Sequence, residues 1–97
     1  QWGAYLKFAR LEPRAGLSAD ELAWMGRVTE RYPYANAQFN LALALGLNGQ
    51  PDAAALNLRR LCSLHSARRC SERLAEWRDL VQTRHPQLAS IPLPKPR

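Results

Sequence analysis

The two cysteines of the chain, Cys62 and Cys70, carry its most definite covalent chemistry. They are poor candidates for zinc, because a tetrahedral site needs four ligands and only His65 lies close by in sequence. A disulfide fits better. Cys62 falls in the last turns of one expected helix and Cys70 just before the next, so the turn between them can bring their Cα atoms within bridging distance. Closing so short a loop would stabilise the fold by roughly 2–3 kcal/mol on chain-entropy grounds. It would also imply an oxidising compartment. Two reduced cysteines in the core of a cytosolic protein are the alternative.

Anion binding is the second chemistry on offer. Residues 1–50 carry five basic and four acidic side chains and residues 51–97 nine and four, so most of the net +6 charge is C-terminal. Arg59, Arg60, Arg68, Arg69 and Arg73, against Glu72, concentrate it around one helix end and the next helix start. One expectation is a patch facing phospholipid headgroups or lipid-linked phosphates. The other is a set of arginines on solvated helix faces, where a nearby helix C-terminus favours cations. Nucleic acid fits least, since no recognition-helix motif, zinc signature or strand pattern for a stacking platform accompanies the charge.

Catalytic arrangements are not apparent. His65 and His85 sit in or beside helix ends, with no serine, cysteine and carboxylate set that marks a nucleophile system. Glu72 and Glu76 read as partners of nearby arginines, not as an acid and base pair. The five glycines are scattered and make no phosphate-cradling loop. No catalytic residue, metal-ligand set or cofactor is therefore expected.

The elements that must position these residues are helical. Trp2, Tyr5, Leu6 and Ala9 follow helical spacing and predict a first helix ending before Pro13. Ser18 and Glu21 have the spacing of a capping box and open a second helix, with Leu22, Met25 and Val28 on one face and Trp24 beside them, reaching about Arg31. Tyr32, Pro33 and Tyr34 interrupt it. Helices over roughly 36–47 and 51–64 follow, and between them Gly49 is expected at positive φ, with Pro51 in the first turn of the next helix. Gly49 is expected to matter more to this turn than Asn48. Small Ala42 and Ala54 let the two arms approach closely, as in a tetratricopeptide-type hairpin. A last helix is expected from near Ser71 to before Pro86, with Leu74, Trp77 and Val81 inward. The three tryptophans read as packing residues in amphipathic segments, not as a ligand-stacking box.

The fold class is thus all-α, about five helices in one domain over residues 1–85, followed by an extended tail over 86–97 that holds four of the seven prolines. Its end, Ile91 to Pro96, reads as a frayed terminus or, alternatively, a polyproline ligand. A chain this short buries somewhat over half of its unfolded surface, so stability is expected to be marginal. No apolar run approaches the roughly 18 residues of a membrane span. The start lacks a basic region followed by an apolar core, and the first residue is Gln, so the chain is expected to be an excised piece of a longer protein.

The run Tyr34 to His65, YANAQFNLALALGLNGQPDAAALNLRRLCSLH, followed by Cys70 and by LAEWRDL at Leu74 to Leu80, resembles the C-terminal soluble region of PglL-type bacterial protein O-oligosaccharyltransferases. These are relatives of O-antigen ligases and Wzy polymerases. The hairpin alone would match any tetratricopeptide-like unit; joined to the LRRLC helix end and the tryptophan-bearing last helix it is more specific, and the likeness spans most of residues 18–82.

The resemblance implies a helical domain on the periplasmic side of the bacterial inner membrane, in agreement with a Cys62–Cys70 bridge. It implies a parent enzyme that transfers glycan from an undecaprenyl-pyrophosphate carrier to Ser or Thr of proteins such as pilin. The family's catalytic residues belong to periplasmic loops between membrane helices, so none is carried over to this chain. The implied partners are the membrane-embedded remainder of the same enzyme, the acceptor protein, and lipid-linked glycan or anionic lipid headgroups. The alternative from another class is a free-standing helical adaptor that holds a peptide or protein between helices.

Overall fold

The computed structural model describes residues 13–95. Over these the chain is all-α: α1 (Ala19–Arg31), α2 (Ala35–Leu47), α3 (Pro51–Leu64) and α4 (Ala67–Thr83), then a 3-10 turn at Pro86–Leu88. The first expected helix, with Trp2, lies outside the described residues.

Each boundary has a local cause. At the start of α1 the Ser18 hydroxyl accepts the Glu21 N–H at 3.0 Å and the Glu21 carboxylate accepts the Ser18 N–H at 2.9 Å, a complete capping box. The second of these bonds favours the charged carboxylate: the Ser18 backbone N–H first, and the Ser18 hydroxyl after it, hold the Glu21 carboxyl below its ordinary range. α2 closes in a Schellman turn: Gln50 N–H reaches Leu45 O at 2.9 Å and Gly49 N–H reaches Gly46 O at 3.3 Å, with Gly49 at φ +79°. Pro51 then begins α3, where its missing N–H costs nothing.

Asn48 also holds this turn. Its Nδ2 donates to Ala44 O at 2.7 Å and to Arg14 O at 2.8 Å, and its Oδ1 accepts the Leu17 N–H at 3.0 Å. One side chain thereby caps a helix and fastens a strand of chain more than thirty residues earlier. Helix α4 begins at Ala67, four residues before the expected Ser71, because the Ser66 hydroxyl accepts the Arg69 N–H at 3.1 Å and starts the helix there.

Helix α2 is the centre of the molecule. Nine of its thirteen residues are buried, so it has core on nearly every side. Ala42, Ala54 and Leu58 are fully buried where α2 and α3 meet, as the small-residue pattern predicts. From α4, Leu74 and Trp77 point inward, and the Trp77 ring meets Phe39 edge-on with centroids 5.7 Å apart. Val81 and Trp24 are only partly buried at the margin of this core. Cys62 and Cys70 are joined as a disulfide, tying the last turn of α3 to the first turn of α4 with Cα atoms 4.7 Å apart.

The start of the proline-rich tail is not extended. After the 3-10 turn, Leu88 and Ile91 are buried against the core. The matching surface is Gly46 on α2, where an added methyl group would stand 3.0 Å from Ile91 Cδ1 and 3.1 Å from Leu88 Cδ2. Apolar residues between the prolines gain more by packing there than by remaining in water.

Candidate functional site

The five arginines are distributed among different settings. On α4, Arg68 and Arg69 lie 3.5 and 4.0 Å from Glu72, and Arg73 lies 2.9 Å from Glu76. Arg73 Nη1 also donates to Asn36 Oδ1 at 2.9 Å, tying α4 to the first turn of α2. Three guanidinium groups are thus set against two carboxylates along one helix, with spacings of three and four residues. The exposed pairs to Glu72 contribute little, about 0–1 kcal/mol each, while Arg73 is half-buried against α2; together the pairs reduce the net field of that face. Arg59 and Arg60, on α3, are exposed and form no ion pair with any described residue. Arg60 lines a groove between α1, α2 and α3 instead.

That groove, about 570 Å³ in volume, is lined by facing rows of side chains from all three helices. Leu22, Gly26 and Thr29 come from α1, Gln38, Leu41 and Leu45 from α2, and Asn57, Arg60 and Leu64 from α3. Each set recurs at three- and four-residue intervals, so each is one helix stripe turned to a common space. Leu64 is 59% exposed, an apolar side chain on the rim. Arg27 and Glu30 stand on the α1 wall.

Polar groups sit where the register calls for apolar ones. Thr29 is 4% exposed, Gln38 2% and Asn57 8%. Thr29 Oγ1 has no hydrogen-bond partner among the described residues. Asn57 donates Nδ2 to Ala53 O at 2.9 Å. His65 Nε2 stands 2.9 Å from Gln38 Oε1 and 3.1 Å from Pro33 O, and since both oxygens accept, this nitrogen carries the hydrogen. His65 therefore orients the Gln38 amide, with Oε1 toward the imidazole and Nε2 on the other side.

Sequence reasoning missed Thr29, Gln38 and Asn57 as candidates. The signal was present: Gln38 stands three residues before buried Leu41 and Asn57 four before buried Leu61. Polar residues in that register mark a helix face that is covered but not sealed.

A smaller concavity gathers Tyr34, Asn36, His65, Ser66 and Arg69 where α2 and α4 both begin. Among the described residues, no three His, Cys, Asp or Glu side chains come together as a metal site, and no helix is long and apolar enough to cross a membrane.

No protein-family model matches the chain, and neither the curated proteins nor the solved structures contain a significant match to it.

Proposed function

We propose that this domain is a partner-holding module on the periplasmic side of the bacterial inner membrane: the accessory domain of a PglL-type O-oligosaccharyltransferase, which positions the acceptor protein for glycan transfer. The observation that carries the reading is the groove between α1, α2 and α3, a concavity with leucine walls, a polar floor and, at its edge, arginines that make no ion pair with a described residue. Concave sites of this kind, with a few placed polar groups in apolar walls, are suited to binding. The Cys62–Cys70 disulfide supports an oxidising compartment. The likeness of Tyr34–His65 and Leu74–Leu80 to the C-terminal region of these enzymes supports the parent.

The first test is the open reading frame upstream of Gln1. A series of hydrophobic spans is expected; a start codon or signal peptide directly before the domain would overturn the membrane-enzyme reading in favour of a free-standing adaptor. The second is an in vitro transfer assay with lipid-linked glycan and a pilin acceptor. The parent enzyme is expected to transfer, the 97-residue chain alone to be inactive, and the parent lacking this domain to glycosylate more slowly. An unchanged rate in the deletion variant would remove the positioning role.

A further inference from the structure

We propose that the groove holds an extended, acidic peptide segment of the partner protein, with Gln38, Asn57 and Thr29 pairing with its main chain and Arg27 and Arg60 with its carboxylates. The proposal rests on the reading of the groove as a protein-binding site, and it specifies the chemistry of what enters.

The floor defines the backbone requirement. Gln38 has its Oε1 engaged by His65, which leaves Nε2 as a donor. Asn57 uses its Nδ2 on Ala53 O, which leaves Oδ1 as an acceptor. Thr29 Oγ1, unpartnered and on a residue 4% exposed, can donate or accept. Of the three, Thr29 Oγ1 is the fully buried atom without a partner, and a group so buried is costly to leave unpaired. Together they offer one donor, one acceptor and one group of either kind, which complements the C=O and N–H groups of a peptide main chain. A helical occupant would bring a backbone already bonded to itself; an extended segment brings free amides and carbonyls. From Asn57 to Leu64 the α3 wall runs roughly 10 Å, the length of about three extended residues. Leu22, Leu41 and Leu64 supply apolar contacts for the side chains between.

Charge sets the sign of the segment. Arg27 and Arg60 line the groove and make no ion pair with a described residue, whereas Arg68, Arg69 and Arg73 of α4 have Glu72 and Glu76 as neighbours. Glu30 on the α1 wall offsets one of the two, so the lining keeps a net positive charge. A carboxylate against a guanidinium makes a charge-assisted pair that a lysine-bearing segment cannot make.

The test is NMR titration of the uniformly 15N-labelled 97-residue chain. The probes are a capped nine-residue peptide of alanine, serine and glutamate and the same peptide with lysine replacing glutamate. The glutamate peptide is expected to shift the side-chain NH2 signals of Gln38 and Asn57 and to bind at least tenfold more tightly than the lysine peptide. Arg27→Glu with Arg60→Glu should reverse that preference. Thr29→Val should weaken binding about fivefold while leaving the melting temperature equal or higher, a combination that a purely structural role for Thr29 does not produce. Equal affinity for both peptides, shifts confined to α4, or no binding by either peptide would overturn the proposal. So would phosphatidylglycerol vesicles displacing the glutamate peptide from the groove, which would assign it to lipid. These outcomes are read on the soluble chain, so they are separable from the upstream reading frame and the transfer assay that decide the accessory-domain reading.

Discussion

Helices α2 and α3 present two contrasting faces. On one, Ala42, Ala54 and Leu58 meet at zero exposure, and Leu74 and Trp77 of α4 close over the core. On the other, Gln38 and Asn57 are also buried, yet the surface remains a groove bounded by α1. The same hairpin seals where small and branched apolar residues interlock, and stays parted where amides replace them. Close packing requires complementary apolar shapes, while a buried amide requires a hydrogen-bond partner, and a neighbouring leucine is none. Burial alone therefore does not distinguish core from site; the polarity of what is buried does.

The widest separation between the two faces is expected from truncation. Trp77→Ala should cost about 3–5 kcal/mol in urea unfolding, whereas Leu64→Ala on the groove rim should stay within about 0.5 kcal/mol. Comparable losses would erase the distinction. Next, removing the disulfide as Cys62→Ser with Cys70→Ser should lower stability by roughly 2–3 kcal/mol. The unfolding midpoint of the reduced wild-type chain should then coincide with that of the double variant.

Asn48→Ala is expected to cost about 1–2 kcal/mol, because it removes three partly exposed hydrogen bonds at once. Hydrogen exchange should rise at Leu17, whose amide loses its acceptor, with no change at Leu58 in the sealed seam; uniform acceleration would show that the clasp and the core are one unit.

The smallest effect belongs to Glu21, partly exposed at the start of α1. Its folded carboxyl is held below the ordinary range by the Ser18 hydrogen bonds. Its contribution to stability is therefore full above the ordinary carboxylate value and is lost as pH falls through the folded value. The stability gap between wild type and Glu21→Gln should shrink from pH 7 to pH 3. A constant gap would break the assignment.

Much of this frame was legible because its signals are local. Ser18 with Glu21, Gly49 with Pro51, and Cys62 with Cys70 each act over a few residues, and each stands where the spacing predicts. The start of α4 was misplaced because Ser66 is followed three residues later by Arg69, so the cap lacks the Glu or Gln of a full box. Asn48 was underrated because its partners Arg14 and Leu17 are remote in sequence. The prolines predict an extended tail, yet Leu88 and Ile91 find the space that Gly46 leaves open, a fit between distant segments. The arginines show the same limit: composition located the charge but not the carboxylates that neutralise part of it on α4. The groove required all three helices at once, and periodicity describes one helix at a time.

The Cys62–Cys70 bridge also determines what a protease can do to this molecule. The chain between the two cysteines contains Arg68 and Arg69, both exposed and both trypsin targets. A cut at either breaks the main chain, but the halves stay covalently joined through sulfur, and the only change in mass is the gain of one water. Such a nicked molecule would migrate as intact protein until reduced, then separate into two pieces of unequal size. The bridge thus makes the corner between α3 and α4 the place where this domain can be cut without falling apart.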